Sequence, residues 1–258
     1  MRRRKANAYR PAAGAANTSY SVALTDKNFK YPSVLKSGLA IDKKFSHDWI
    51  ITLEGTYTKD INAVYYSNIN LNETNAFALA GADNRLRYNT STTTTLNTSS
   101  KYYFGTTAAN PNLGNAILMK NSKKGYSSTL TARVQKTIKN LYLSAAYTYS
   151  QSKNTAEGGS TAGSLWSGRA VQGTDPNADN LSNASWYQPH RVIAFASYKF
   201  NYAKYFSTSF GLYFEAAPAG VTSYIYNGDL NGDGNLNDLI FIPSAANQIN
   251  LVKSGSGG

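Results

Sequence analysis

A run of oxygen-bearing side chains between residues 229 and 238 has the spacing of a calcium-binding loop. Asp229, Asn231, Asp233, Gly234 and Asn237 occupy positions 1, 3, 5, 6 and 9 of the pattern D-x-[DN]-x-[DN]-G. Carboxylate and amide oxygens are the ligands that Ca²⁺ prefers, and the glycine permits the sharp turn that such a loop needs. The candidate metal ligands are therefore Asp229, Asn231, Asp233, Asn237 and Asp238.

The surroundings of this loop do not fit a helix–loop–helix hand. Position 12, where such a hand carries a bidentate glutamate, is Ile240. The flanking segments TSYIY (222–226) and LIFIP (239–243) are β-branched and aromatic, which favours strands, and we expect the loop to return into a strand at LIFIP. Two interpretations stay open. One is a structural calcium site on an irregular loop; the other is a tight turn in which glycines supply positive φ and Asp and Asn side chains bond nearby backbone.

The other polar residues give little support for catalysis. The chain has no cysteine and two histidines, His47 and His190, which excludes thiolate chemistry and leaves few nitrogen ligands for a metal. Neither a G-x-S-x-G motif nor a phosphate-binding glycine loop occurs. We therefore expect no enzymatic activity, and no cofactor other than the calcium ion considered above. The acidic residues Glu54, Asp60 and Glu215 fall at or near strand positions, where they are expected to line a lumen.

Charge and hydropathy narrow the class of protein. The formal net charge is +12, which raises the hypothesis of a nucleic-acid-binding protein, but the basic residues are dispersed and only Arg2–Lys5 form a run. We expect that run to belong to a poorly ordered, basic and alanine-rich start, residues 1–19. No apolar run approaches the roughly 18 to 20 residues that a membrane-spanning helix needs.

Apolar residues alternate with polar ones along three pairs of segments. In the first pair, apolar residues recur at every second position from Leu35 to Phe45, and again from Trp49 to Tyr57. The same design recurs at 126–135 with 141–150, and at 191–200 with 206–214. A period of two predicts strands with one apolar face, and the short breaks at 46–48, 136–140 and 201–204 predict antiparallel hairpins.

The connections between these hairpins are long and polar, unlike the turns within them. They cover roughly 66–124, 152–186 and 217 onward, and include NTSTTTTLNTSS and AEGGSTAGS. Short turns at one end and long loops at the other are typical of a bacterial outer-membrane barrel, whose periplasmic turns are short and extracellular loops long. Single-chain bacterial barrels begin at about eight strands, so we expect these six to be part of a larger antiparallel transmembrane β-barrel in the outer membrane.

Four segments resemble the C-terminal barrel of TonB-dependent outer-membrane receptors, above all the SusC/RagA-like and Oar-like receptors of Bacteroidota. They are 29–71 (FKYPSVLKSGLAIDKKFSHDWIITLEGTYTKDINAVYYSNINL), 145–154 (AAYTYSQSKN), 188–200 (QPHRVIAFASYKF) and 226–243 (YNGDLNGDGNLNDLIFIP). The resemblance covers the chain from about residue 20 onward. It implies a barrel of about 22 strands, TonB-dependent import of a siderophore, a glycan or a peptide fragment, and contact with TonB and a SusD-like surface lipoprotein.

This sequence departs from those receptors in three ways. Within residues 1–258 we expect no plug domain and no segment that contacts TonB, and we expect the aromatic C-terminal strand to be missing because these residues end in SGSGG. We therefore expect residues 1–258 to be a partial receptor barrel, without a signal peptide. Two alternatives of other classes remain: a secreted β-rich binding or adhesion module that uses the 229–238 loop with calcium, and a basic nucleic-acid-binding β protein.

Overall fold

The computed structural model describes residues 20–88, 103, 113–170 and 175–249. Its strands are β1 (Tyr20–Thr25), β2 (Val34–Lys44), β3 (Trp49–Asp60), β4 (Ala63–Asn68), β5 (Phe77–Ala78), β6 (Leu86–Arg87), β7 (Leu113–Ser122), β8 (Tyr126–Ile138), β9 (Leu141–Asn154), β10 (Ser182–Asn183), β11 (His190–Tyr202) and β12 (Phe206–Ala216). Helix α1 is Ala162–Ser167, and single 3₁₀ turns occur at Ser46–Asp48, Glu73–Asn75 and Ala246–Gln248. The fold is therefore all-β, as the alternation predicts.

Six long strands form one antiparallel sheet in the order β12-β11-β9-β8-β3-β2, with the two-residue β10 paired to β9. Ile41 lies opposite Leu53, Leu53 lies opposite Ala132, and Ala132 lies opposite Tyr147. Residues directly opposite each other project to the same side of a sheet. The apolar sets predicted strand by strand therefore form one continuous apolar face, and Leu39 on it has 72% of its surface exposed.

The opposite face of this sheet is polar and carries hydrogen bonds between side chains of neighbouring strands. Thr52 Oγ1 donates to Asp42 Oδ1 over 2.5 Å, and Arg191 Nε donates to Glu215 Oε1 over 2.8 Å. Hydroxyl pairs join the central strands at Thr56 with Thr129 and at Thr131 with Thr148. A sheet that is apolar on one side and polar on the other is suited to a wall between lipid and an aqueous lumen.

The three short turns lie at one end of the sheet, and two of them are shorter than the sequence predicts. Strand β8 continues to Ile138, so its turn to β9 is Lys139 and Asn140, where Lys139 has φ 53°. Strand β11 likewise continues to Tyr202, and Ala203 in its turn has φ 57°. Within the described residues, β2 and β12 are the two ends of the sheet and do not pair with each other.

The long connections pack together beyond the other end of the sheet, in a region that we name the loop cap: described residues 61–125, 155–189 and 217–243. Its strands β7 and β4 form a second sheet with β1, which comes from before the first hairpin; the order is β1-β7-β4, and β1 runs parallel to β7. The cap core is a cluster of buried side chains: Leu71, Tyr88, Ile117 and Trp166. The sequence analysis identified no strands in these connections, but β4 and β7 are regular strands that this packing partly buries.

Helix α1 is short and capped at its N-terminus. Thr161 Oγ1 accepts from the backbone N–H of Ser164, and the Ser164 hydroxyl accepts from the backbone N–H of Thr161, which satisfies two helix-end donors. Trp166 then lies in the cap core. No helix in the described part of the chain is long and apolar enough to cross a membrane.

Three segments named in the sequence analysis lie outside the residues that the structure describes. They are the basic start 1–19, the NTSTTTTLNTSS stretch and the SGSGG end. By contrast, the expected return into a strand at LIFIP was wrong. Residues 239–243 form no strand, and the segment makes one isolated bridge, Ile225 with Leu239.

Candidate binding cavity and acidic loop

A cavity of about 500 Å³ lies where the polar face of the sheet meets the loop cap. From the sheet it is lined by the long-loop ends of β2, β3, β8 and β9, including Thr58, Ser127 and Ser152, which lie opposite one another in register. From the cap it is lined by β4, residues 155–159 and Trp186. Its volume falls within the range of small-molecule sites, roughly 300 to 1,000 Å³.

Acidic and aromatic groups line this cavity. Glu157 Oε1 accepts from Asn154 Nδ2 over 3.0 Å and from the backbone N–H of Ser185 over 2.9 Å, which fixes one carboxylate at the wall. The Asp60 carboxylate lies against Gly125 and makes no hydrogen bond or ion pair with the described residues. The sequence analysis predicts that Asp60 lines a lumen. In the structure Asp60 lies on the wall of this cavity. Trp186 adds a ring that is 66% exposed.

The acidic loop within the cap is held in a tight turn by hydrogen bonds from its own backbone N–H groups to the Asp229 carboxylate. Gly232 and Gly234 have φ of 73° and 95°, the left-handed values that glycine adopts without strain. The Asp229 carboxylate spans both: Oδ1 accepts from the N–H of Gly232 over 2.7 Å, and Oδ2 accepts from the N–H of Gly234 over 2.8 Å. This is the geometry of the tight Asx- and Gly-rich turn that the sequence left open beside calcium.

Asp233 lies at the buried centre of the loop, with none of its surface exposed. Its Oδ1 accepts from the backbone N–H of Asn235 over 2.8 Å, and its Oδ2 accepts from Asn231 Nδ2 over 3.1 Å. Burial raises the pKa of Asp233 to about 6, and the nearby negative charges of Asp229 and Asp238 act in the same direction. The pKa of Asp233 therefore reflects its burial beside the other two carboxylates of the loop.

Asp238 is the exception, because it pairs with a cation from another connection. Arg85 Nη1 donates to Asp238 Oδ1 over 2.6 Å, and Arg85 Nε donates to Asp83 Oδ2 over 2.8 Å. The other Asp238 oxygen, Oδ2, accepts from the backbone N–H of Leu230 over 2.8 Å. Sequence reasoning missed Arg85, since no local pattern marks a partner that lies 153 residues away.

Asn237 points its amide away from the loop and toward the helix connection. Its Nδ2 donates to the backbone carbonyls of Ser167, over 2.9 Å, and Arg169, over 2.7 Å. Among the described residues, no three Asp, Glu, His or Cys side chains are grouped so that they could hold a metal ion. The five residues singled out as calcium ligands thus lie in one loop, but the amide of Asn237 and the carboxylate of Asp238 bind other parts of the cap. Calcium binding stays a prediction.

A second polar network joins the same connections beside the cap core. Asn177 Oδ1 accepts from the N–H of Asn68 over 2.7 Å, and Asn177 Nδ2 donates to Glu73 Oε1 over 2.9 Å. Tyr88, which is buried, lies close to Asp175, and burial raises the pKa of both groups. The backbone N–H of Tyr88 donates in turn to the carbonyl of Asn231 over 2.7 Å, which joins this network to the acidic loop.

The two histidines lie at opposite ends of the main sheet. His47 is in the short turn between β2 and β3, with φ 62°. His190 begins β11 at the long-loop end, where its Nδ1 is 2.7 Å from the hydroxyl of Tyr147. The structure therefore does not bring them together.

Comparison with known proteins adds one match. A family model described as an outer membrane beta barrel domain matches residues 4–211, which is most of the chain. No curated protein and no solved structure matches the chain significantly. The matched range includes all of β1 to β11 and the cavity described above, and it ends within β12.

Proposed function

Because the chain belongs to the outer membrane β-barrel domain family, we propose that it forms part of a receptor that takes up a nutrient by TonB-dependent active transport. The nutrient classes are a siderophore, a glycan fragment or a peptide fragment. The apolar face of the main sheet then contacts outer-membrane lipid, and the polar face lines the lumen. The short turns are periplasmic, and the loop cap is extracellular.

The observation that carries this proposal is the cavity between the loop cap and the lumen side of the sheet. A purely structural barrel has no need of long connections that fold into a buried core of their own. Here the connections enclose about 500 Å³ at the mouth of the lumen. Its walls carry the hydrogen-bonded carboxylate of Glu157, the carboxylate of Asp60, which has no partner among the described residues, and the exposed Trp186. A solute held there would stand at the entrance of a transport path.

The open sheet supports a larger assembly around this segment. Strands β2 and β12 each have 11 residues and an edge that pairs with no other described strand. Unpaired backbone N–H and C=O groups are costly in hydrocarbon, so membrane sheets close on themselves. Six strands are fewer than the roughly eight of the smallest single-chain barrels. We therefore propose further strands of the receptor beside both edges, a plug region that contacts TonB, and a SusD-like surface lipoprotein above the cap.

The two alternatives from the sequence receive less support. An outer-membrane barrel domain lies in the membrane, whereas a secreted calcium-binding module and a nucleic-acid-binding protein would be soluble. The apolar face, with side chains such as Leu212 exposed over 71% of their surface, also requires an apolar surrounding.

Uptake measurements in the parent bacterium test the proposal. The gene that carries this chain is deleted, and growth is compared on a panel of glycans, peptides and iron–siderophore complexes as limiting nutrients. We expect one nutrient class to be lost, and the same class to be lost when the cell's TonB is deleted. Complementation with Trp186→Ala should restore the protein to the membrane but not the uptake, with Tyr205→Ala, at a short turn, as the matched aromatic control. Uptake that needs this gene but not TonB would exclude the proposal.

A further inference from the structure

The lipid-facing side of the main sheet contains a groove of about 330 Å³ near the short-turn end. Its floor is made of three alanines on the two neighbouring strands β9 and β11: Ala145 lies opposite Ala194, and Ala196 follows on the same face. Leu212 and Phe214 of β12 form one wall, since they lie opposite Ala196 and Ala194. The groove results from small residues on two adjacent strands beside large residues on the strand next to them.

The other wall of the groove ends in a positive charge. Val134 and Leu143 line this side, and Lys136, which lies opposite both Trp49 and Leu143, marks the end nearest the turns. The Lys136 ammonium lies over the Trp49 ring, with Nζ 4.4 Å from the ring centroid. This contact holds a cation at the level where the aromatic residues of a barrel meet the lipid headgroups.

The whole lipid-facing side carries cations and no anions. The charged residues whose register places them on this face are Lys43, Lys59, Lys136 and Lys153, and no Asp or Glu of the six long strands shares it. Asp42, Glu54 and Glu215 all belong to the opposite, polar face. A second copy of the chain docked face to face would therefore set lysines against a surface without carboxylates, and Trp49 and Phe214 would hold the two sheets apart.

From this combination we propose that the groove binds one acyl chain of a phospholipid of the periplasmic leaflet, with the lipid's anionic phosphate group at Lys136. An acyl chain is narrow and apolar, so it fills a groove that a second sheet cannot enter. The lysine supplies the charge that selects an anionic headgroup. The bound lipid would cover the apolar floor at Ala194 that the protein leaves bare. This site is separate from the cavity under the loop cap and does not depend on what the receptor transports.

The test uses the full chain in nanodiscs of matched acyl length, made with phosphatidylglycerol or with phosphatidylcholine, followed by transfer to mild detergent and native mass spectrometry. We expect one retained phosphatidylglycerol per chain. Ala194→Leu, which fills the floor, should abolish retention, while Ala132→Leu, on the same face but outside the groove, should not change it. Circular dichroism of each variant checks that the sheet is intact.

The headgroup part of the site is tested separately at Lys136. Lys136→Gln should weaken phosphatidylglycerol retention about fivefold, the effect of one lysine near an anionic surface, and leave phosphatidylcholine unchanged. Lys136→Arg should restore the preference. Equal retention by the wild type and Ala194→Leu would overturn the proposal, as would a dimer in detergent that Ala194→Leu dissociates, because the groove would then be filled by a second copy.

Discussion

The guanidinium of Arg85 and the carboxylate of Asp238 form an ion pair inside the loop cap, with Nη1 and Oδ1 2.6 Å apart and 3% and 0% of the two side chains exposed. Arg85 belongs to the connection after β3, and Asp238 belongs to the segment after β12. The same arginine donates from Nη2 to the carbonyl of Leu239 over 2.5 Å. One side chain thus joins two connections that are far apart in sequence and holds the acidic loop in place.

Removal of one partner of this ion pair should open the cap. We expect Asp238→Ala to lower the stability of the cap by about 3 kcal/mol, the lower end of the range for a broken buried ion pair, because Asp83 still pairs with the buried Arg85. Hydrogen exchange of residues 225–240 measures the opening, with β8 and β9 as an internal reference. Lys44→Ala is the matched control: Lys44 and its partner Asp48 are 68% and 66% exposed, and such surface pairs contribute about 0 to 1 kcal/mol. Equal effects of the two variants would contradict this account.

The apolar core of the cap should be a separate unit of stability from the sheet. Leu71 is 1% exposed and packs with Tyr88, Ile117 and Trp166. Leu71→Ala should cost about 2 to 5 kcal/mol through lost burial and the cavity left behind. We expect faster exchange in β4 and β7 and no change in β11 and β12. Leu236→Ala, at a loop position 63% exposed, serves as control. If exchange in β11 and β12 increases as much as in β7, the cap and the sheet unfold as one.

The sequence predicted the main sheet well because alternation is a local property. In each of the six long strands, the apolar residues recur at every second position of that strand's own sequence. Pairing between strands then only brings these apolar residues side by side on one face. The cap had no such local signal. Tyr65 donates its hydroxyl to the carbonyl of Asn177, 112 residues away, and β1 pairs in parallel with β7, a partner that no hairpin turn specifies. Strands β1, β4 and β7 were therefore missed.

The orientation of the two faces predicts a contrast between two alanines at the middle of their strands. Ala132 lies on the apolar face, and Ala40 lies on the polar face directly opposite Glu54. Ala132→Arg should lower the stability in lipid vesicles by about 2 to 4 kcal/mol, the cost of arginine at the bilayer midplane. Ala40→Arg should change it by about 0.5 kcal/mol or less, since the arginine enters a polar lumen near a carboxylate. Urea unfolding from vesicles measures both. The faces are reversed if Ala40→Arg is the more damaging variant.

The acidic loop shows how a motif can be read correctly and still leave its chemistry open. Spacing alone identified residues 229–238, and glycine at 232 and 234 correctly predicted positive φ. What spacing could not supply was the environment: Arg85 for Asp238, and the backbone carbonyls of Ser167 and Arg169 for Asn237. Each of these partners comes from a different connection, so only the folded cap reveals them.

Calcium titration distinguishes the two interpretations of this loop. If Ca²⁺ binds, millimolar calcium at pH 7 should raise the unfolding temperature of the cap, because a ligand that binds only the folded state stabilises it. Asp233→Asn should then abolish the increase. If the loop is a self-contained turn, calcium should change nothing, because both oxygens of Asp229 and of Asp238 already accept hydrogen bonds. Magnesium at the same ionic strength is the control for charge screening.

Asp175 should make the cap less stable as the pH rises. Burial raises its pKa above the ordinary value of 3.8, and the charge of Glu73 adds to this, while the hydrogen bond from the backbone N–H of Asn177, the nearby Tyr88 hydroxyl and the charge of Arg169 oppose it. Between 3.8 and the raised pKa, the folded state holds a proton that the unfolded chain has lost, so the free energy of unfolding falls as the pH rises through that window. Asp175→Asn cannot titrate and should lack this dependence.

Asp179, four residues further along, is the matched control, because its pKa is shifted in the opposite direction from that of Asp175. Burial alone would raise its pKa, but hydrogen bonds from Lys124 and Ser122 outweigh burial and hold the pKa below its usual value. Its contribution is therefore present above pH 3.8 and is lost as the pH falls through the lowered pKa. Denaturation at pH 4 and pH 7 should show Asp175→Asn gaining stability relative to the wild type as the pH rises. Denaturation at pH 2 and pH 4, which spans the lower window, should show Asp179→Asn losing stability relative to the wild type as the pH rises. If both variants change in the same direction, burial does not dominate at Asp175, and the hydrogen bond from Asn177 stabilises the ionised form.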